Sequence, residues 1–251
     1  MLAPDLVLFL VLVAVGAIVQ SITGFAMGLI IMGGVTAIGV VDISFGAAVV
    51  SLISLVNVSI ALRHTYRFVD RLMWSLMLAG LVPATLVGVL MLNVLSGDFY
   101  EWLRILLGVV IIGAGSLLMA QPAPWIAVSD RWSIVSIGAA GGVIGGMYGA
   151  GGAPLAWFMY RQPLDLNVIR ATLLATFFVS TLSRSVIVAL SGDLTHEVLL
   201  VALASVPIVI VSTVVSTRLA HRVPDRAIRR FVFVLLILLG LSLIVSSLAG
   251  R

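Results

Sequence analysis

The residues of this chain best suited to chemistry are glycines. Between positions 145 and 157 the sequence reads GGMYGAGGAPLAW, five glycines and a proline inside an otherwise apolar stretch. Because Gly149, Gly151 and Gly152 have no Cβ to stand in the way, the segment Tyr148, Gly149, Ala150, Gly151 and Gly152 can bring backbone N–H groups directly to a ligand. Proline is favoured in the first turn of a helix, so GAGG reads as a turn, and APLAWFMY as a short new helix whose positive dipole end faces that turn. Such an end is an anion-binding device. A smaller element of the same kind lies near the start of the chain, where Gln20, Thr23, Gly24, Phe25 and Ala26 precede Gly28. Close helix packing through small residues four apart is the competing reading of both glycine patterns, GFAMG at 24–28 and Gly141, Gly145 and Gly149.

Other polar residues sit within apolar segments. Asn57 carries two donors and an acceptor, and reads either as a site residue or as a tie between helices. Thr172, Thr176, Ser180 and Ser183 share one helical face, where they either line a path or bond the carbonyls of their own helix. Arg184 follows Arg170 by fourteen residues, or ~21 Å of helix, a depth at which it either guides an anion or snorkels to the interface. Arg104, three residues after Glu101, reads as one half of a surface ion pair. Hydroxyls without a buried His, Asp or Lys supply no nucleophile and base, and the histidines have no metal-ligand spacing. Neither an enzyme, nor a metal, nor a cofactor is expected.

The elements that must position these residues are membrane helices. The chain of 251 residues is 62% hydrophobic and 10% charged, and leaves almost no polar surface for water. With no cysteine there is no disulfide framework, and with no lysine the formal charge of +4 rests on arginine. The arginines cluster at segment ends, as topology and lipid signals do, so no nucleic-acid partner is expected. No basic residue precedes Arg63, so the first apolar segment is expected to be retained rather than cleaved as a signal peptide.

Apolar segments run over 6–40, 44–62, 72–94, 102–120, 132–160, 168–190, 198–217 and 231–249. Six match one crossing of about 20 residues. The first and fifth are longer, and they are the two broken by glycine. Gly24 precedes Pro83 by 59 residues and Gly149 precedes Pro207 by 58, which marks two related halves, 1–121 and 122–251.

Arginine in short loops prefers the cytoplasm. If the two long segments enter and return as broken hairpins, then Arg63, Arg67, Arg71, Arg131, Arg161, Arg170, Arg218, Arg222, Arg226, Arg229 and Arg230 fall on one side. Only Arg104, Arg184 and Arg251 remain toward the other. Each half then makes three net crossings, which inverts the second half relative to the first and puts both termini outside. The expected fold is an all-α polytopic membrane protein of two inverted repeats, each a broken or re-entrant hairpin followed by three transmembrane helices. Folds of this kind place a substrate site where the broken helices meet near the bilayer midplane. Among the alternatives, a non-transporting scaffold would account for the glycines but not for the charge pattern.

The GMYGAGGAP element opening the second half, the Pro83 and Pro207 helices, and the basic RRFVFVLLILLGLSL segment make the chain resemble the sulfite exporter TauE/SafE family over essentially its whole length. In place of the glycine run that members usually carry in the first half, this chain has TGFAMG. The resemblance implies a permease that moves sulfite or small sulfonates across the cytoplasmic membrane of the cell. The partners expected are a small anionic substrate and the lipid bilayer, with a homodimer left open. No Asp or Glu falls in the middle of a segment, so potential-driven export or exchange is expected ahead of carboxylate-based proton symport.

Overall fold

A computed structural model of the chain describes residues 3–249, except Gly24, Val40, His64, Asp98, 121–122 and 220–224. The side chains at 3, 22–23, 117–118, 120, 217–219, 225–229 and 249 also lie outside the description. Among the described residues ten α-helices follow one another: α1 (Ala3–Thr23), α2 (Met27–Ile38), α3 (Ile43–Leu62), α4 (Arg71–Leu95), α5 (Tyr100–Ala120), α6 (Arg131–Tyr148), α7 (Gly152–Tyr160), α8 (Leu166–Leu190), α9 (His196–Leu219) and α10 (Asp225–Ala249). Six of them (α1, α3, α4, α8, α9 and α10) are long and apolar enough to cross a bilayer. The chain is a multi-pass membrane protein.

Local chemistry sets several boundaries. Asp70, Asp130 and Asp165 each precede a helix and accept a hydrogen bond from a backbone N–H of its first turn, at 2.9, 3.1 and 3.1 Å. Hydrogen bonding to Ser133 also holds the exposed Asp130 carboxyl below its ordinary pKa, so this cap persists into mildly acidic solution. Helix α6 stops where Gly149 turns left-handed, with φ 66°, and its N–H caps Gly145 O at 2.8 Å.

Both long apolar segments fold back on themselves. Gly16 of α1 faces Met27 and Ile31 of α2, while Gly34 of α2 faces Leu12 of α1, so the two helices are antiparallel. Gly145 faces Gly151 and Gly141 faces Leu155, which makes α6 and α7 a second antiparallel hairpin. At 1.5 Å per residue α2 reaches about 18 Å and α7 about 14 Å, each well short of a hydrocarbon core.

The packing relations fall into pairs. Helix α4 packs on α6 as α9 packs on α1; α3 packs on α9 as α8 packs on α4; α2 packs on α10 as α7 packs on α5. The remaining large contacts join α3 to α8 and α5 to α10, the latter through Gly108 and Gly240.

The closest helix pair, α4 with α6, depends on small residues. Gly138, Gly142 and Gly146 lie four apart on α6 and meet the backbone of α4 at Met77, Leu81 and Thr85, while Gly80 and Gly88 of α4 meet Val135 and Val143 of α6. Backbones can approach this closely only where no Cβ intervenes. The stripe read from sequence, Gly141, Gly145 and Gly149, is rotated away from this contact: Gly141 and Gly145 turn toward α7. Gly142→Val should therefore lower the melting temperature of the purified protein by the equivalent of about 1–3 kcal/mol or more, because its side chain would strike α4 main chain. Gly113→Ala meets nothing within 4 Å and should leave stability within about 1 kcal/mol of the parent.

Candidate functional site

The two hairpin turns meet. A Cβ built on Gly28 would lie 2.8 Å from Gly149 O and 2.9 Å from the Ala150 Cβ, so only glycine allows the tips to touch. Ala26, which precedes α2, holds φ 90°, a left-handed conformation costing an L residue about 1–2 kcal/mol. It is the one non-glycine residue with positive φ among the described residues. Strain of this kind persists only where surrounding contacts impose it.

Between the tips lies a small cavity, with about 40 Å³ open to the centres of water molecules. That is room for a few waters or one small ion. Its wall comprises Gln20 of α1, Phe25 and Ala26 of the first turn, Gly28 and Leu29 of α2, Ser54 and Val58 of α3, Gly149, Ala150, Gly151 and Gly152 of the second turn, and Phe177, Ser180 and Thr181 of α8. Helices α2 and α7 both begin at this cavity. The first N–H groups of a helix have no partner within it, and each N-terminus carries about half a positive charge. Two of them converge here, amounting to roughly one positive charge.

Polar bridges flank the cavity on either side, and α3 carries both. Gln20 Nε2 donates to Asn57 Oδ1 at 3.0 Å, Asn57 Nδ2 donates to Thr213 Oγ1 at 2.7 Å, and the Met27 N–H donates to Gln20 Oε1 at 3.2 Å. This chain ties α1, α2, α3 and α9 together. Asn57 is fully buried and acts as an interhelical tie, one shell behind the cavity-lining Gln20. Nearer the other end of α3, Arg184 of α8 donates from Nε to Gly146 O at 2.8 Å, and from Nη1 to Ala47 O at 2.7 Å and Ser51 Oγ at 2.8 Å. Only 2% of Arg184 is exposed, so it does not snorkel. It clamps the second hairpin to α3.

A larger cavity, about 470 Å³, opens beyond Arg184 and is bordered by Asp42, Tyr100, Val188 and Asp193 among others. The connections α2–α3, α4–α5 and α8–α9 meet there, so they occupy one end of the bundle. At the opposite end the 123–130 stretch is strapped to the close of the second hairpin: the Trp125 N–H donates to Arg161 O, and Gln162 pairs with Ser129.

Of the residues singled out from sequence, Gln20, Phe25, Ala26, Gly149, Ala150, Gly151, Gly152 and Ser180 line the cavity between the tips. Tyr148, Thr176 and Ser183 do not. Tyr148 is fully buried and donates to Leu103 O at 3.0 Å, anchoring the second tip to α5. Thr176 donates back to Thr172 O of its own helix at 2.7 Å, while the Thr172 hydroxyl accepts from the Asp70 N–H at 3.0 Å. Gly24 and the Thr23 side chain lie outside the described residues. Arg104 sits 3.5 Å from Glu101 and also donates to Ser246 Oγ on α10 at 2.8 Å. Sequence reasoning missed Ser54, Thr181 and Phe177. The first two are hydroxyls in apolar helices and were visible as such, but their helical face becomes apparent only from the packing.

A family profile described as "Sulfite exporter TauE/SafE" matches residues 8–243. The "Probable sulfite/organosulfonate exporter TauE" of Cupriavidus necator is 33% identical over 239 residues, which cover 95% of this chain and 93% of that protein. No solved structure matches the chain.

The Gln20–Asn57–Thr213 bridge makes a measurable claim. Asn57→Ala leaves the Gln20 amide and the Thr213 hydroxyl without their shared partner in a buried site, and should destabilise the detergent-solubilised protein by about 1–3 kcal/mol in thermal unfolding. Asn57→Asp, which keeps the shape and introduces a charge, should be worse.

Proposed function

The chain belongs to the sulfite exporter TauE/SafE family, and on that premise we propose that it exports sulfite or a small sulfonate through the cavity between its two hairpin tips. It is a membrane transporter and not an enzyme. The observation that carries the proposed site is the convergence of α2 and α7, both starting at one small cavity. Hydrogen-bond donors fixed at helix starts suit the oxygens of an oxyanion, while Phe25 and Phe177 limit its bulk.

In this reading residues 1–121 and 122–251 are inverted repeats, the hairpins are re-entrant, and the site lies near the bilayer midplane. Support comes from the matched packing relations, from the shortness of α2 and α7, and from the arginine distribution. The arginine-poor end, with its large cavity and both termini, then faces outward from the cytoplasmic membrane. Among the described residues the buried polar and charged side chains include no Asp or Glu. Proton coupling through a buried carboxylate is accordingly not invoked. A singly charged anion leaving an inside-negative cell gains about 2.3 kcal/mol per 100 mV, equivalent to a roughly fifty-fold gradient.

Gly152 offers a probe of the site that spares the fold. Gly151 does not, since any side chain there would strike the main chain at Gly141. A Cβ on Gly152 meets only side-chain atoms, Phe177 Cζ and Phe25 Cβ at 3.1 Å each, and narrows the cavity. In proteoliposomes the parent should move sulfite, and faster when the substrate side is made electrically negative. Gly152→Ala should lose about ten-fold or more of that flux with its melting temperature nearly unchanged. Normal flux in this variant would remove the tips from the pathway.

A further inference from the structure

Among the described residues Arg184 holds a buried positive charge with no carboxylate in contact, and Asp193 acts on it only from beyond 4 Å. It makes no ion pair among the described residues, and the acceptors of Nε and Nη1 are two carbonyls and one hydroxyl. The whole side chain is 2% exposed. A guanidinium taken out of water is ordinarily matched by a carboxylate or by a ligand of opposite charge. Here the protein supplies dipoles in contact and a carboxylate only at longer range.

Position adds to this. Arg184 borders the large end cavity, whereas Ser180 and Thr181, one helical turn earlier, border the small cavity between the tips. The partition between the two spaces is thin. Gly149 lines the small cavity, and a Cβ on it would lie 3.1 Å from Ala47 O and 3.3 Å from Ser51 Oγ, two of the atoms that receive Arg184.

We propose that Arg184, where it borders the large cavity, is a second oxyanion subsite, separate from the one between the hairpin tips and occupied by the same class of ligand. This rests on the anion-transport reading above. Oxyanion oxygens make charge-assisted hydrogen bonds to a guanidinium, about twice as strong as those from neutral acceptors. An anion reaching Arg184 therefore competes with Gly146 O and Ala47 O for it and loosens the clamp between the second hairpin and α3. The exposed carboxylates Asp42 and Asp193 stand at the same cavity and disfavour anions arriving from solution. A buried cation and exposed carboxylates at one cavity favour an anion delivered from the tips over one arriving from outside.

Binding can be read without transport. In this cysteine-free chain, Val188→Cys places a thiol in the large cavity one turn from Arg184. The purified protein in detergent is treated with a cationic thiosulfonate reagent, using methanesulfonate as the probe because sulfite would attack the reagent. Methanesulfonate should slow labelling. Adding Arg184→Gln should raise the half-protecting concentration at least ten-fold. Adding Asp42→Asn and Asp193→Asn, both at exposed positions, should lower it about two- to three-fold at low ionic strength and hardly at all at high salt. Equal protection with and without the guanidinium overturns the subsite, as does an absence of protection in protein that transports sulfonate normally. If Arg184→Gln does not fold, the aspartate variants decide, and unchanged protection at low ionic strength overturns the proposal. Protection in protein that moves no anion would overturn the transport reading and leave the subsite standing.

Discussion

Hydrocarbon offers no hydrogen bonds, so a backbone interrupted within a membrane protein must be satisfied by the protein itself or serve a polar cavity. This chain interrupts two helices and places the interruptions against each other. The contact of Gly28 with Gly149 and Ala150 is the constraint on which the rest depends. It shields both turns, brings the starts of α2 and α7 to one cavity, and leaves four helices, α1, α3, α6 and α8, to brace the tips. The close α4–α6 seam, with glycines on both sides, holds the long arm of the second hairpin by main-chain contact.

Helix α3 is the spine of the site. Ala47 and Ser51 receive Arg184, Ser54 and Val58 face the cavity, and Asn57 joins Gln20 and Thr213. One helix thus carries a polar bridge above the cavity, a wall of it, and a polar bridge below. The two bridges differ in chemistry. The amide bridge is neutral and internally satisfied, whereas the guanidinium bridge leaves a charge that dipoles only partly answer. In the proposed reading the charged bridge is the one on which an anion has a direct hold.

Much of this architecture was legible because it rests on local rules. The glycine and proline breaks marked both hairpins, and segment length separated them from full crossings. Rotation about helix axes was not legible. Gly138, Gly142 and Gly146 compete with Gly141, Gly145 and Gly149 as equally regular stripes, and only the seat of α4 decides between them. On α8 the same ambiguity exchanged Thr181 for Ser183. Arg184 was visible as a charge at depth, but its acceptors include the Ala47 and Gly146 carbonyls, and main-chain atoms have no sequence signature. Asn57 meets Thr213 across 156 residues, a pairing that exists only once the two halves are assembled.

The proposed oxyanion site between the hairpin tips can be tested directly. Selenite is a heavy analogue of sulfite, and a crystal of the protein grown with it, measured at the selenium edge, yields an anomalous map in which the ion stands out from all protein atoms. The strongest peak should lie between the starts of α2 and α7, within hydrogen-bonding distance of main-chain N–H groups near Ala26 and Gly152. Selenite bound only at arginines on the bundle surface, with the space between the tips empty at saturating concentration, would contradict a substrate site there.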